Sequence, residues 1–207
     1  MLQKLFLSLV IVFLVATGSY AEEIGRATIN DRTVIIDGAG TWAYENVPQG
    51  AAAQAVDCSE GRKIQSKKIK MSLCIAPPWR LDSSPPESME MQAINKDIDL
   101  YFGLVTERTP IPLAGLRKAI LYNAAQATGV REEDIEISTE SKSKFGSHEW
   151  SYIEYKVTFS GANFRFANYY ASLGDKGLVQ SVFWCAESFF AECQPAILKF
   201  MSTVEMQ

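Results

Sequence analysis

The chain has 207 residues, a formal net charge of −4 at pH 7 and an aromatic content of 11%. A mildly acidic chain has no electrostatic reason to bind nucleic acid, because such binding depends on neutralising phosphates with Lys and Arg. The ordinary charged fraction of 21% and the many aromatic residues exclude intrinsic disorder. These numbers predict a folded chain with one sizeable core.

The first 21 residues have the layout of a cleaved secretory signal peptide. Lys4 precedes an apolar stretch from Leu5 to Val15, and small residues, Ser19 and Ala21, occupy the −3 and −1 positions of a cleavage site. The apolar stretch is shorter than the roughly 20 residues that span a bilayer. We therefore expect cleavage after Ala21 and a soluble periplasmic or secreted product without membrane insertion.

Residues 26–45 read as a small β unit. Two β-branched runs flank Asn30-Asp31, a frequent turn pair, and a third strand follows at residues 41–44. The stretch resembles the D-G-T-W-x-Y hairpins of small exported bacterial proteins, although Gly40 precedes Thr41-Trp42 here and Asp37 is displaced. Residues 47–53 read as a linker. The expected division is a signal peptide at 1–21, a hairpin segment with linker at 22–50 and an α+β domain at 51–207.

The mature chain holds four cysteines, Cys58, Cys74, Cys185 and Cys193. An even number in an exported chain favours disulfides. Three pairings are possible, and short loops favour Cys58–Cys74 and Cys185–Cys193. Each bridge would stabilise the fold by roughly 2–4 kcal/mol. The Cys-x-x-Cys spacing of zinc sites is absent, so we expect no metal and no cofactor.

The main domain shows a series of strand patterns. They lie at residues 67–76, 89–93, 98–106, 135–139, 150–159, 163–172 and 178–187. The second and third form a hairpin, and the last three form a meander with glycine-rich turns. In the third strand, alternate residues from Ile98 to Leu104 share one face.

Two helices complete the predicted domain. Thr109 offers a hydroxyl cap ahead of two prolines, and Gly129 ends a helix that starts near Leu113. A final helix carries Pro195 early in its sequence. Two helices can cover one face of an antiparallel sheet, which makes an α+β arrangement.

Candidate catalytic residues are few. The chain has one histidine, His148, and no Gly-x-Ser-x-Gly elbow, and oxidised cysteines would leave no thiolate nucleophile. A carboxylate pair remains open, because its spacing is spatial. Glu154 and Glu187 lie on or beside meander strands, although acidic residues on an exposed sheet face need no catalytic role.

A basic run on an otherwise acidic chain suits a binding role. It consists of Arg62, Lys63, Lys67, Lys68 and Lys70. It could face an anionic surface or an acidic partner. Lysines on an edge hairpin that discourage further strand pairing account for the same residues.

The aromatic meander is the second binding feature. Alternation places Ile153, Tyr155, Val157 and Phe159 on one face of the strand and Trp150 and Tyr152 on the other. We expect the first set to form core under the helices. If the second set is not covered, for instance by the N-terminal β unit, it forms an exposed patch that marks a binding surface.

Four features from residue 67 to residue 204 carry a family resemblance. They are Cys74-Ile75-Ala76-Pro77-Pro78-Trp79, the helix at 113–128, the aromatic meander, and Phe189-Phe190 followed by Ile197-Leu198-Lys199-Phe200. Their order resembles the PsbP/Mog-like superfamily. That resemblance implies an α-β-α sandwich around an antiparallel sheet and a role in binding or assembly. Members include a photosystem II extrinsic subunit, a Ran-binding protein and bacterial envelope proteins, and no catalytic residue carries over.

Together these observations predict a non-enzymatic, exported binding or assembly protein. Its expected partner is another envelope or secreted protein, and an inhibitor or immunity-type protein is one specific form. The alternative is a cell-envelope hydrolase that uses carboxylates alone. The sequence indicates no oligomeric state.

Overall fold

The computed structural model describes three strands between residues 23 and 44, at 23–29, 32–37 and 42–44, and the continuous stretch 58–207. The chain divides into two units, and the point of division along the sequence lies between Pro48 and Gln49. The first unit contains antiparallel strands β1 (Glu23–Ile29), β2 (Arg32–Asp37) and β3 (Trp42–Tyr44), in that order. The predicted signal peptide, the turn pair and the linker lie outside the described residues.

The second unit is built on a seven-stranded antiparallel sheet. Its strands are β6 (Trp79–Leu81), β7 (Met91–Asn95), β8 (Leu100–Glu107), β9 (Glu136–Phe145), β10 (His148–Phe159), β11 (Ala162–Ser172) and β12 (Leu178–Ala186). Their spatial order is β6-β7-β8-β12-β11-β10-β9. The predicted hairpin of β7 and β8 and the predicted meander of β10, β11 and β12 are both present.

A smaller sheet packs beside the large one. Its strands are β4 (Arg62–Gln65), β5 (Met71–Ile75) and β13 (Glu205–Met206), in the order β13-β5-β4. Every residue of β5 is buried. The strand predicted at residues 67–76 contains β5, although β5 begins four residues later.

Two α-helices belong to this unit, α1 (Leu113–Thr128) and α2 (Phe190–Met201). The predicted hydroxyl cap of α1 is wrong: Pro112 precedes the helix, and no side chain caps it. Its predicted end is correct, since Gly129 adopts φ 72° and its N–H donates to the Ala125 carbonyl. Neither helix of this described stretch is long and apolar enough to cross a bilayer.

The two helices lie on opposite faces of the large sheet. Residues of α2 share a core with Trp150, Phe102 and Phe183, whereas α1 packs on Ile153 and Tyr155. Successive residues of a strand point to opposite faces, so Trp150 and Ile153 cannot share one. The expectation that both helices cover one face is therefore wrong, and the α+β sandwich with a layer on each side is confirmed.

Candidate binding face of the sheet

Trp150 and Tyr152 lie on the covered face of the sheet. Trp150 has no exposed surface, and Tyr152 is half-buried, with its ring 4.8 Å from that of Tyr169. The Tyr152 hydroxyl donates to Glu154 Oε2 at 2.7 Å, and burial raises the pKa of Tyr152 well above its usual value. These two residues form core and not the exposed patch that the sequence allowed, because α2 covers their face.

The cysteines are only partly bridged. Cys58 and Cys74 form a disulfide with a Cα–Cα distance of 5.9 Å, which ties residue 58 to β5. Cys185 and Cys193 are free and buried, so the predicted second bridge is not present. The neighbouring Cys193 thiol, together with burial, raises the pKa of the Cys185 thiol. Cys193 Sγ also points at the Ile98 carbonyl, 4.0 Å away.

The basic run lies on β4 and in the turn that follows it. All five of its side chains belong to exposed residues, and β4 is an edge strand of the small sheet. Lys63 forms an ion pair with Glu205, and Lys68 Nζ donates to the Thr106 carbonyl at 3.0 Å. Two of the five cations thus connect parts of the fold.

The two carboxylates considered for catalysis share one guanidinium. Arg165 Nη1 lies 2.7 Å from Glu154 Oε1, and Arg165 Nη2 lies 3.0 Å from Glu187 Oε1. Lys156 Nζ approaches Glu187 to 2.8 Å and, with Arg165, lowers the pKa of that carboxyl. The guanidinium also stands 5.2 Å from the Phe190 ring centre. The Arg165 guanidinium compensates the buried negative charge of Glu154. Together with Lys156 it keeps Glu187 ionised, and an ionised carboxylate cannot act as a general acid.

The other face of the sheet is only half covered by the elements between residues 58 and 207. The core under α1 draws on β10, β11 and the start of β12, and it includes Ile153, Tyr155 and Leu178. Towards β8 and β7, the same face carries Trp184, Tyr101 and Ile94. These three side chains are half-buried and belong to neither core.

Four aromatic rings cross this face as a ladder. The register aligns Tyr101, Trp184, Phe166 and Tyr155 on β8, β12, β11 and β10. Neighbouring rings are stacked: Tyr101 and Trp184 are 5.4 Å apart at 11°, Trp184 and Phe166 are 6.3 Å apart at 19°, and Phe166 and Tyr155 are 5.2 Å apart at 11°. Tyr155 is buried under α1, and the other three rings are partly exposed.

Two further rings extend the ladder towards the β10–β11 turn. Phe164 pairs with Val157 and is partly exposed, whereas Phe159 at the end of β10 is 44% exposed. The expectation that Phe159 is core is wrong, because β10 continues past the part of the sheet that α1 covers. We call the set Tyr101, Trp184, Phe166, Phe164 and Phe159 the aromatic face.

A groove opens at the β6–β7 end of the same sheet. Its volume is about 340 Å³, and it is lined by Arg80, Leu81, Asp82, Ser83, Gln92, Ala93, Ile94 and Tyr101. Tyr101 therefore belongs both to the ladder and to the wall of the groove. The sequence held a signal for it, since Tyr101 alternates with the core residues Leu100 and Phe102 and must face away from them.

The single histidine takes no part in these surfaces. His148 Nδ1 lies 3.0 Å from the Ser147 hydroxyl, at the start of β10. Across the described residues, no group of three or more His, Cys, Asp or Glu side chains is placed to hold a metal ion.

The similarities found to known proteins are similarities of structure and not of sequence. No family model matches the chain, and no curated protein matches it. Among solved structures, a chain from Bacteroides thetaiotaomicron superposes with a TM-score of 0.50 and 14% identity, over 72% of this chain and 49% of that one. The present chain thus spans about half the length of the Bacteroides chain.

Two other solved structures carry descriptive names. The PsbP protein CyanoP from Synechocystis sp. PCC 6803 has a TM-score of 0.50 and 10% identity, over 73% of this chain and 95% of that one. The Ran-binding protein Mog1p from Saccharomyces cerevisiae has a TM-score of 0.47 and 9% identity, over 70% and 95%. At such identities the likeness concerns the fold alone. The fold of this chain is like that of CyanoP, as the order of its sequence features indicated.

Proposed function

We propose that this chain is an exported, non-enzymatic protein that binds another envelope or secreted protein through the aromatic face. The observation that carries the proposal is the ladder of Tyr101, Trp184 and Phe166, which are stacked, partly exposed and outside the α2 core. A contiguous apolar patch on a folded protein marks an interaction surface.

The composition of the face favours a protein partner. The centres of protein interfaces are enriched in Tyr, Trp and Phe and depleted of charge, and polar groups surround them. All five members of the aromatic face are aromatic and uncharged. Polar side chains border it, among them the half-buried Gln180 on β12.

Export is part of the proposal. Removal of the signal-like residues 1–21 leaves an expected mature protein with the hairpin segment and linker at 22–50 and the domain at 51–207. The Cys58–Cys74 disulfide suits an oxidising compartment. Mass spectrometry of protein isolated from cells should find an N-terminus at Glu22, and an intact Met1 in the envelope fraction would contradict cleavage.

The carboxylate-dependent hydrolase is less well supported. Glu154 is 6% exposed and accepts from both Tyr152 and Arg165, so its oxygens are already engaged. Glu187 is paired with Lys156 and Arg165. A glycosidase needs one carboxyl that donates a proton and a second that stays ionised beside the substrate.

The proposal is tested by comparing partner capture among matched variants. Immobilised wild-type protein, Trp184→Ala, Phe159→Ala and Tyr122→Ala are exposed to the same envelope extract. Tyr122 is a suitable control, because it is 53% exposed but lies on α1. We expect one partner to be lost with Trp184→Ala and Phe159→Ala and retained with Tyr122→Ala. Equal capture by all four proteins would remove the aromatic face from the proposal.

A further inference from the structure

The groove beside Tyr101 carries polar groups that the rest of the described chain leaves unused. The side chains of Arg80 and Ser83 are exposed and that of Gln92 is half-buried, and none of the three makes a hydrogen bond or ion pair with any described residue. The Asp82 carboxylate accepts one bond, from the Ser84 backbone N–H at 2.9 Å. The Asp82 N–H itself donates to the Gln92 carbonyl at 2.8 Å, which fixes the backbone of this loop beside β7.

The ring that lines the groove is held in place by packing. Tyr101 stacks on Trp184 at 5.4 Å, and the register places it directly beside Ile94 of β7. The groove therefore joins a fixed aromatic ring and an aliphatic side chain to a set of unpaired donors and acceptors. A volume of about 340 Å³ is near the lower end of the roughly 300–1,000 Å³ found for ligand pockets.

The chemistry of these groups selects the class of ligand. A guanidinium only donates, an ionised carboxylate only accepts, and an amide or a hydroxyl does both. Sugar hydroxyls can form hydrogen bonds with all four kinds of group, because each hydroxyl donates one hydrogen bond and accepts others. A sugar ring also presents a C–H face that packs on an aromatic ring. The charges of Arg80 and Asp82 balance, so the groove favours a neutral ligand over an anion.

We propose that the groove formed by Arg80, Asp82, Ser83, Gln92 and Tyr101 is a binding site for an uncharged oligosaccharide. A sugar ring packs on Tyr101, and its hydroxyls bond to Arg80, Asp82 and Gln92. The inference goes beyond the proposed docking of a protein, because the groove lies on β6 and β7 and shares only Tyr101 with the aromatic face.

The test is a calorimetric titration of the purified protein with two neutral probes, chitotetraose and maltotetraose. We expect saturable binding of at least one probe. Tyr101→Ala should weaken it about tenfold or more, Tyr101→Phe should retain most of it because the ring remains, and Gln92→Ala should weaken it severalfold. Tyr122→Ala is the matched control and should bind like wild type.

Two results would overturn the saccharide site. One is the absence of binding by wild-type protein to either probe at millimolar concentration. The other is unchanged binding by both Tyr101→Ala and Gln92→Ala. Gln92 is half-buried and unpaired, so its variant tests the site even if Tyr101→Ala does not fold.

The same variants separate this inference from the proposed function. Phe159→Ala should lose the protein partner and keep the saccharide, whereas Gln92→Ala should weaken saccharide binding severalfold and keep the partner. Loss of the saccharide with Phe159→Ala would show that the groove is not an independent site.

Discussion

The two faces of the large sheet use aromatic side chains differently. On the α2 face, Trp150, Phe102 and Phe183 have no exposed surface, and Phe200 of α2 lies 4.4 Å from Phe102 between ring centres. On the α1 face, Trp184 stacks with its cross-strand neighbours and stays partly exposed.

This difference shows that aromatic content does not by itself distinguish core from binding surface. A helix that lies along the sheet turns one set of rings into core. A helix that covers only β10, β11 and the start of β12 leaves the other set as a surface. The position of α1 relative to the strands therefore determines which aromatic residues are available to a partner.

The largest expected effect is the difference in lost stability between alanine variants of two tryptophans. Trp150→Ala removes a fully buried side chain and should lower the free energy of unfolding by about 3–5 kcal/mol. Trp184→Ala removes a stacked surface ring and should lower it by about 1 kcal/mol. Urea unfolding monitored by circular dichroism measures both. Equal losses would mean that the α1 face is core and would contradict its role as a surface.

The disulfide should stabilise the α2 side without affecting the binding face. Replacing Cys58 and Cys74 together by Ser opens a link between residues 16 positions apart and should lower the free energy of unfolding by about 3 kcal/mol. Partner and saccharide binding at low temperature should remain at wild-type affinity. A loss of binding in the folded variant would show that the small sheet supports the aromatic face.

The ion pairs around Arg165 are expected to matter next. Arg165→Met leaves the buried Glu154 carboxylate without its guanidinium and should cost about 2 kcal/mol of unfolding free energy. Adding Glu154→Gln should restore part of that loss. If Arg165→Met alone matches wild type, the cluster is not a compensated buried charge.

The same cluster predicts a loss of stability in acid. The pKa of Glu187 lies below its ordinary value of 4.5, so its ionised form stabilises the folded state above that pH. The contribution is lost as the pH falls through the folded-state pKa. Thermal unfolding between pH 7 and about pH 3 should show a decline that Glu187→Gln reduces, and parallel curves would contradict the assignment.

The smallest expected effect concerns the basic run. Lys67→Glu with Lys68→Glu changes exposed residues and should shift the unfolding free energy by about 0.5 kcal/mol or less. Partner capture should be unchanged at physiological salt. A loss of capture would instead place the docking site on the basic run, as the sequence also allowed.

Much of the fold was readable from the sequence, because the strands of the meander alternate and are separated by glycine turns. The end of α1 was also predictable, because Gly129 readily adopts the left-handed conformation that ends a helix. Strand β5 lies within the strand predicted at 67–76, but its start is harder to place, since burial on both faces removes alternation. The start of α1 at Leu113 was predicted correctly, but its hydroxyl cap was not, because Pro112 and not Thr109 directly precedes the helix.

The candidate site could be predicted only in part. Alternation correctly separates Ile153 from Trp150 and Tyr101 from Phe102, but it does not say which face a helix covers. That depends on long-range packing of α1 and α2, and so Trp150 was considered for the surface while Tyr101 was not. The free thiols of Cys185 and Cys193 show the same limit, because proximity alone does not decide bridging.

Site-specific photo-crosslinking is the most direct test of the central claim, which is that the aromatic face binds a partner protein. A photoreactive phenylalanine analogue is placed at Phe159, Trp184, Tyr122 or Phe200, and exported protein is irradiated in living cells. The account predicts one cross-linked partner protein from Phe159 and Trp184, and none from Tyr122 or the buried Phe200. Equal cross-linking at Tyr122, or cross-links from the face only to residues 22–50 of the chain itself or to a second copy, would contradict it.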